Sequence, residues 1–257
     1  MNRFELAKFL VKSTPINKET FIENLCKNKV VLDLGCVRHT AEYALNDPNW
    51  LHKKIKNIAK EVVGIDYLAP EIKKLNEHGY DIQCFDVTKP MTLNKKFEVI
   101  IAGDLIEHLV NFEWFFNNCT ELLEKDGILV ITTANPFYVG QFFYTNFKNN
   151  YIVNPEHTCW IDPQCLSQLA TRFDFEIKKA FFISTHWKLG ELILENEKNK
   201  YNVLTGKWQD SSFSNKLKRK FISLLFRGVF SVYKALVIRT SRLSMYSDYL
   251  AILKKIN

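Results

Sequence analysis

Five short runs rich in Val, Ile and Leu constrain this chain more than any other feature: Val30–Leu34, Val62–Ile65, Ile82–Phe85, Phe97–Ala102 and Ile128–Thr133. Each is too short for a buried helix, and each is almost continuously apolar, as a strand covered on both faces must be. Between them, Ala41–Ala59, Pro70–His78 and Phe112–Glu124 carry helical spacing. Alternation of this kind predicts βαβ units around a parallel sheet. Gly79 and Gly127 stand where the ends of two helices favour a left-handed residue. Beyond Pro136 the rhythm loosens. Residues 137–161 are rich in aromatics and asparagine and read as a lid on the acceptor side. Pro163–Arg172 reads as a helix, and Phe175–Ser184 and Tyr246–Leu253 as two late strands, with 187–244 inserted between them. The N-terminal MNRFELAKFLVKSTP reads as a short amphipathic helix. The expected division is a helical cap over 1–27 and one α/β domain over 28–257 that carries the insertion.

The charge is unevenly placed. The net +7 comes from one stretch, Phe213–Arg242, which holds Lys216, Lys218, Arg219, Lys220, Arg227, Lys234, Arg239 and Arg242 and no acid; the rest has 27 basic against 28 acidic residues. Leu217, Phe221, Leu224, Leu225, Phe230 and Leu236 give the same stretch a roughly helical apolar face. A basic amphipathic helix suits an anionic membrane surface, and equally a face of the domain or of a second copy. It is too apolar for the polar, aromatic-studded groove that binds nucleic acid. Arg227, Gly228 and Lys234 interrupt it too often for a membrane span. Six cysteines (Cys26, Cys36, Cys84, Cys119, Cys159, Cys165) form no CxxC pair, so reduced thiols in a cytoplasmic protein are expected, with peripheral attachment at the inner membrane where the basic stretch binds it.

In VVLDLGCVRHT, residues 30–40, a strand runs into a loop with one glycine, Gly35. A glycine there lets backbone pass close to a ligand, and ligands of parallel sheets lie beyond the carboxyl ends of the strands. Acids follow at successive strand ends: Asp66 closes EVVGID, Asp86 follows DIQCF, and Asp104 follows FEVIIAG. A carboxylate after the second strand accepts both ribose hydroxyls of a nucleoside, and one after the third takes the amine of adenine. Pyrophosphate needs clustered amides and further glycines, yet Val37 and His39 stand where those glycines would fall. Three carboxylates suit a cationic ligand better than a dinucleotide. The plainer alternative is helix capping by Asp66 and Asp86 and loop bracing by Asp33.

VVLDLGC, EVVGID, CFDV, FEVIIAGDLIEHL and LLEKDGILVITTANPF, in this order and spacing, resemble the class I S-adenosylmethionine-dependent methyltransferases over residues 28–185. WLHKKI, GDLIEHL and NPEHTCWIDPQCL are similar to a branch of bacterial small-molecule and glycan methyltransferases. The resemblance implies a Rossmann-like, seven-stranded, mostly parallel sheet with helices on both faces and one reversed edge strand; the helical basic insertion before the last strand is read from the residues themselves. The resemblance also implies S-adenosylmethionine as cofactor. Asp33 would orient the first loop and the methionine end, Gly35 would give backbone access, Asp66 would hold the ribose and Asp86 the adenine amine. Asp104 would lie by the methionine portion or the transfer face, and His39 would fill space left by absent glycine turns.

Methyl transfer to an alcohol needs alignment and a proton acceptor. GDLIEHL offers Asp104, Glu107 and His108; NPEHTCW offers Glu156, His157 and Trp160. His157 is the first choice for general base and His108 the second, the plainer alternatives being a hydrogen-bonded loop histidine and a packed imidazole. A hard divalent ion on Asp104, Glu107 and His108 is disfavoured, because adjacent residues of a helix diverge, and no metal is expected. The expected function is O-methylation of a sugar in a bacterial surface glycan or lipid-linked intermediate. A quinone or other small aromatic is the alternative acceptor. A non-catalytic, membrane-associated, cofactor-binding subunit and a nicotinamide-dependent oxidoreductase are the alternatives from other classes.

Overall fold

A computed structural model describes residues 3–148, 154–183, 228, 232 and 243–256. Apart from Gly228, Val232, Leu243 and Ser244, the expected insertion over 187–244 lies outside them, and so, apart from the first two, does the expected basic amphipathic helix over 213–242. Among the described residues no helix is long and apolar enough to cross a membrane. The chain divides into two compact units: Met1–Pro136, Asn154–Ser184 and Asp248–Asn257 in one, Phe137–Val153 and Thr185–Ser247 in the other. In the second unit a helix covers Val139–Lys148, and the Val139 N–H donates to the Ser244 carbonyl at 2.8 Å.

The first unit holds a seven-stranded sheet. Its strands are β1 (Val30–Leu34), β2 (Glu61–Asp66), β3 (Ile82–Cys84), β4 (Phe97–Gly103), β5 (Leu123–Ala134), β6 (Phe175–Phe182) and β7 (Asp248–Lys255). Their order is β3-β2-β1-β4-β5-β7-β6. β7 runs antiparallel to both its neighbours while the pairs among β1 to β5 are parallel. The reversed strand thus lies one place in from the edge, with β6 outside it. Consecutive residues such as Val31 and Leu32, or Ile100 and Ile101, are equally inaccessible, so the central strands are covered on both faces.

Helices fall where the spacing predicts, with two instructive exceptions. Ala41–Ala59 forms two short helices, α3 (Ala41–Asn46) and α4 (Leu51–Lys56). Pro48 causes the break: its ring disfavours helical geometry at Asp47, whose ψ is 115°. Gly127 caps no helix. It lies inside β5, where the pairing with β4 slips between Phe97 and Val99, and a Cβ there would come within 2.8 Å of the Leu123 side chain and 3.0 Å of the Glu98 carbonyl. Gly79 does take the left-handed geometry, φ 81°, after α5 (Ala69–Glu77).

One face of the sheet buries Ile22 and Cys26 of α2 (Lys18–Cys26) and Ile55 of α4 against Val31, Val99, Ile101, Val130 and Leu250. Elsewhere α6 (Phe112–Leu122) contributes the inaccessible Phe115 and Phe116, the latter 5.8 Å from the ring of Phe175. Two further helices complete the unit, α1 (Arg3–Lys12) and α8 (Pro163–Thr171).

Candidate active site

The loop after β1 is held from two sides. Gly35 has φ 70° and donates its N–H to the Ile65 carbonyl at 2.8 Å. Beneath it, the Trp50 indole N–H donates to the Cys36 carbonyl at 2.7 Å. His52 Nδ1 lies 2.9 Å from Asp33 Oδ2, both groups buried. A carboxylate only accepts, so Nδ1 carries the hydrogen, and Nε2 is left buried with no partner. The Asp33 carboxylate is therefore tied to His52 and joins the end of β1 to α4. WLHKKI supplies both props, yet the sequence reading gave Trp50 and His52 no role.

Val37 is buried, and its N–H donates to Asp66 Oδ2 at 2.9 Å. Asp66 Oδ1 accepts from Tyr67 and Leu68 at 2.8 and 3.2 Å. Burial pushes the Asp66 carboxyl above its usual range, opposed by those three N–H groups. His39 does not fill interior space. Its side chain is exposed, and what it supplies is backbone, with φ 59° where a glycine would be at ease.

Asp86 accepts both the N–H and the hydroxyl of Thr88, at 2.9 and 2.6 Å, and pairs with Lys89. The Thr88 hydroxyl holds its carboxyl below the usual range. Asp86 thus closes a turn on Thr88 and caps no helix, and no described contact joins it to the other site residues.

At the end of β4 the strand turns sharply. Asp104 has φ 51°, is fixed by Thr132, and remains 48% exposed at its side chain. The Thr132 hydroxyl accepts the Asp104 N–H at 3.0 Å and donates to Oδ1 at 2.7 Å. Oδ2 pairs with Lys18, which no sequence signal had singled out. Lys18 arrives because the Ile16 N–H donates to the Phe182 carbonyl at 2.9 Å, pinning the N-terminal segment along the end of β6. Packing around Asp104 opposes its charge, but the Lys18 ammonium outweighs that and holds the carboxyl below the usual range.

The two histidine candidates meet. A 3-10 turn over Ile106–His108 presents His108, and the segment after Asn154 presents His157, with ring centroids 4.7 Å apart and nearly perpendicular. Burial, then the neighbouring His108, lowers the His157 pKa. Glu107 is 3% exposed and its Oε2 has no hydrogen-bond partner. Burial and then Asp104 push its carboxyl up to about 7. Glu107, His108 and His157 each offer a donor atom within 4.8 Å of the others, so they are able to hold a divalent ion. Helical divergence does not apply to this set: the turn is not an α-helix, and the third donor comes from a distant segment. Glu156 and Trp160 are exposed.

Residues 15–180 match the methyltransferase-domain family. Over 115 residues the chain is 30% identical to the mitochondrial ubiquinone biosynthesis O-methyltransferase of Rattus norvegicus, covering 41% of this chain and 30% of that protein. The chain spans less than half the length of the curated relatives it matches. Among solved structures it is similar to a SAM-dependent methyltransferase from Archaeoglobus fulgidus, with TM-score 0.51 and 18% identity over 93% of this chain and 95% of that one. It is also similar to the O-methyltransferase of a trans-AT PKS multienzyme of Brevibacillus brevis in complex with S-adenosyl-L-homocysteine, with TM-score 0.51 and 14% identity over 93% and 72%. The reversed strand beside β5, the glycine turn after β1 and the acid at the end of β2 are thus found in a chain that belongs to the methyltransferase-domain family.

Proposed function

We propose that this enzyme O-methylates an alcohol, a sugar hydroxyl of a bacterial surface glycan or lipid-linked intermediate. The observation that carries it is the His108–His157 pair, 4.7 Å apart and beside the exposed carboxylate of Asp104. A thiol or amine acceptor needs little help, whereas an alcohol must lose its proton as the new bond forms. His157, with its pKa lowered, is neutral near pH 7 and free to take that proton.

S-adenosylmethionine, when bound, supplies a methyl group on sulfonium. Around it, Gly35 sets the path of the first loop by its left-handed turn, where a Cβ would come within 2.9 Å of the Leu105 side chain. Asp66 has roughly four acceptor sites. Three face Val37, Tyr67 and Leu68, which leaves room for one ribose hydroxyl rather than two. Asp86 is assigned to the adenine amine. Asp104 and Lys18 bring opposite charges to one place, matching the amine and carboxylate of the cofactor's amino-acid end. With the cofactor in place, its methyl group would be offered to the acceptor oxygen, and His157 would take the hydroxyl proton of that acceptor.

A quinone precursor is the second acceptor class, favoured by the curated relatives, which are ubiquinone biosynthesis O-methyltransferases. Incubation with tritiated-methyl S-adenosylmethionine and either a bacterial membrane-lipid extract or catechol separates the two. Label in the sugar fraction supports the first proposal, and label in catechol alone replaces it with the second. Cofactor binding with no transfer to either argues for a non-catalytic subunit. Attachment to the membrane through Phe213–Arg242 belongs to the same proposal: anionic vesicles should sediment the full chain and not a chain lacking 213–242.

A further inference from the structure

The two histidines lie on separate segments, and little secondary structure joins those segments. Between Asn154 and Ile161 the chain forms only one turn, yet it presents His157 at a defined place. The His157 N–H closes that turn on the Asn154 carbonyl at 3.0 Å, and the polar contacts that tie it to the other segment converge on the residue that follows. The Thr158 N–H donates to the Glu107 carbonyl at 2.9 Å. The Thr158 hydroxyl lies 2.8 Å from the Leu109 carbonyl and 3.1 Å from that of Glu107. The Cys159 N–H adds a longer bond, 3.3 Å, to Glu107. A hydroxyl has one hydrogen, and the shorter distance gives it to Leu109; the two lone pairs of the Glu107 carbonyl then receive the two amides. Glu107 and Leu109 flank His108 in the chain, and Thr158 adjoins His157.

We propose that Thr158 is a positioning residue: by clasping the two carbonyls on either side of His108, it sets His157 against that imidazole. The clasp rests on the reading of the pair as the proton-accepting group, and deepens it. Two features make Thr158 the fixed point. Its main chain and its side chain both point at one short turn, so the two segments cannot slide without breaking both bonds. The Leu109 carbonyl ends the 3-10 turn, where no further turn hydrogen bond reaches it. Displacement of a reacting group by about 1 Å costs up to 10²-fold in rate, so a bond that fixes the base acts on turnover more than on ligand affinity.

Thr158→Val keeps the shape and removes the hydroxyl; Thr158→Ser keeps the hydroxyl. In histidine-labelled full-length protein, cross-relaxation between the ring protons of His108 and His157 reads the juxtaposition directly, and calorimetry with S-adenosylmethionine confirms that each variant is folded. The wild type and Thr158→Ser should show the ring-to-ring signal. Thr158→Val should lose it, with cofactor affinity within about twofold and methyl transfer to the membrane-lipid extract slowed about tenfold. A Thr158→Val protein that keeps the signal and the rate overturns the clasp while leaving His157→Ala to decide the base. A Thr158→Val protein that loses the signal but transfers methyl normally, as His157→Ala also does, overturns the base and leaves the clasp standing.

Discussion

The loop after β1 and the turn after β4 lie at the same sheet edge, and they treat their polar groups in opposite ways. Around the loop, Asp66 receives three backbone N–H groups and Asp33 is met by His52. At the turn, Asp104 has left-handed backbone and an exposed carboxylate, Glu107 buries an oxygen with no partner, and two imidazoles face each other. The first region is held together by its own hydrogen bonds, apart from His52 Nε2, which is buried without a partner. The second carries unsatisfied and strained groups, which cost stability and are kept where charge has to move.

The largest effect that would sharpen this contrast is on rate. His157→Ala should slow methyl transfer by about 10²–10⁴-fold, the usual contribution of a positioned base, with little change in S-adenosylmethionine affinity by calorimetry. In the wild type, transfer should rise with pH through a value below the ordinary histidine range, because burial and His108 lower the His157 pKa, and should be level by neutral pH. A profile that climbs only above pH 8 would assign the proton to another group.

Next in size is a stability effect at the turn. Glu107 is raised to about 7 from 4.5 by burial. Between those two values the folded protein holds a proton that the unfolded chain has released. Its contribution is therefore intact in acid and is lost as pH rises through about 7, a loss of about 3 kcal/mol. Glu107→Gln, which cannot ionise, should remove most of that decline. Urea unfolding of both proteins at several pH values checks this, and parallel curves would show that Glu107 is not the strained group.

How much of this was legible in the sequence follows the same division. The strands were readable because both faces are covered, so Val, Ile and Leu run on without polar interruption. The strand-end acids were readable because their place is set by the strands. His108 and His157 were picked out from separate motifs, but their meeting depends on Thr158 and a turn that is irregular in both segments. Lys18 left no signal: a lysine in a short amphipathic helix is ordinary, and only the Ile16–Phe182 hydrogen bond brings it to Asp104. Gly127 misled because a glycine that allows two strands to approach looks, in sequence, like one that ends a helix.

The first region can be tested with Asp66→Asn. With its oxygen turned to Tyr67 and Leu68, the new amide would face the Val37 N–H, donor against donor. Loss of one charge-assisted bond to the loop and one to the ligand should weaken S-adenosylmethionine by about 2 kcal/mol, roughly thirtyfold, by calorimetry. S-adenosylhomocysteine should weaken to the same degree, since its nucleoside is the same. Unequal losses would place Asp66 nearer the sulfur than the ribose.

The smallest effect concerns the one strained residue on the well-satisfied side. His39 has φ 59° with its side chain in solvent, so nothing described compensates the crowding of its Cβ against the backbone. A left-handed L-residue costs about 1–2 kcal/mol, and histidine is among the residues that tolerate it best. Glycine removes that crowding but adds freedom to the unfolded chain, worth up to about 1 kcal/mol in the other direction. His39→Gly should therefore leave the protein level with the wild type or about 0.5–1 kcal/mol more stable in urea, with S-adenosylmethionine binding unchanged. If binding falls instead, the exposed imidazole contacts the ligand, and the loop after β1 carries a functional group of its own and is no longer the contrast to the turn after β4.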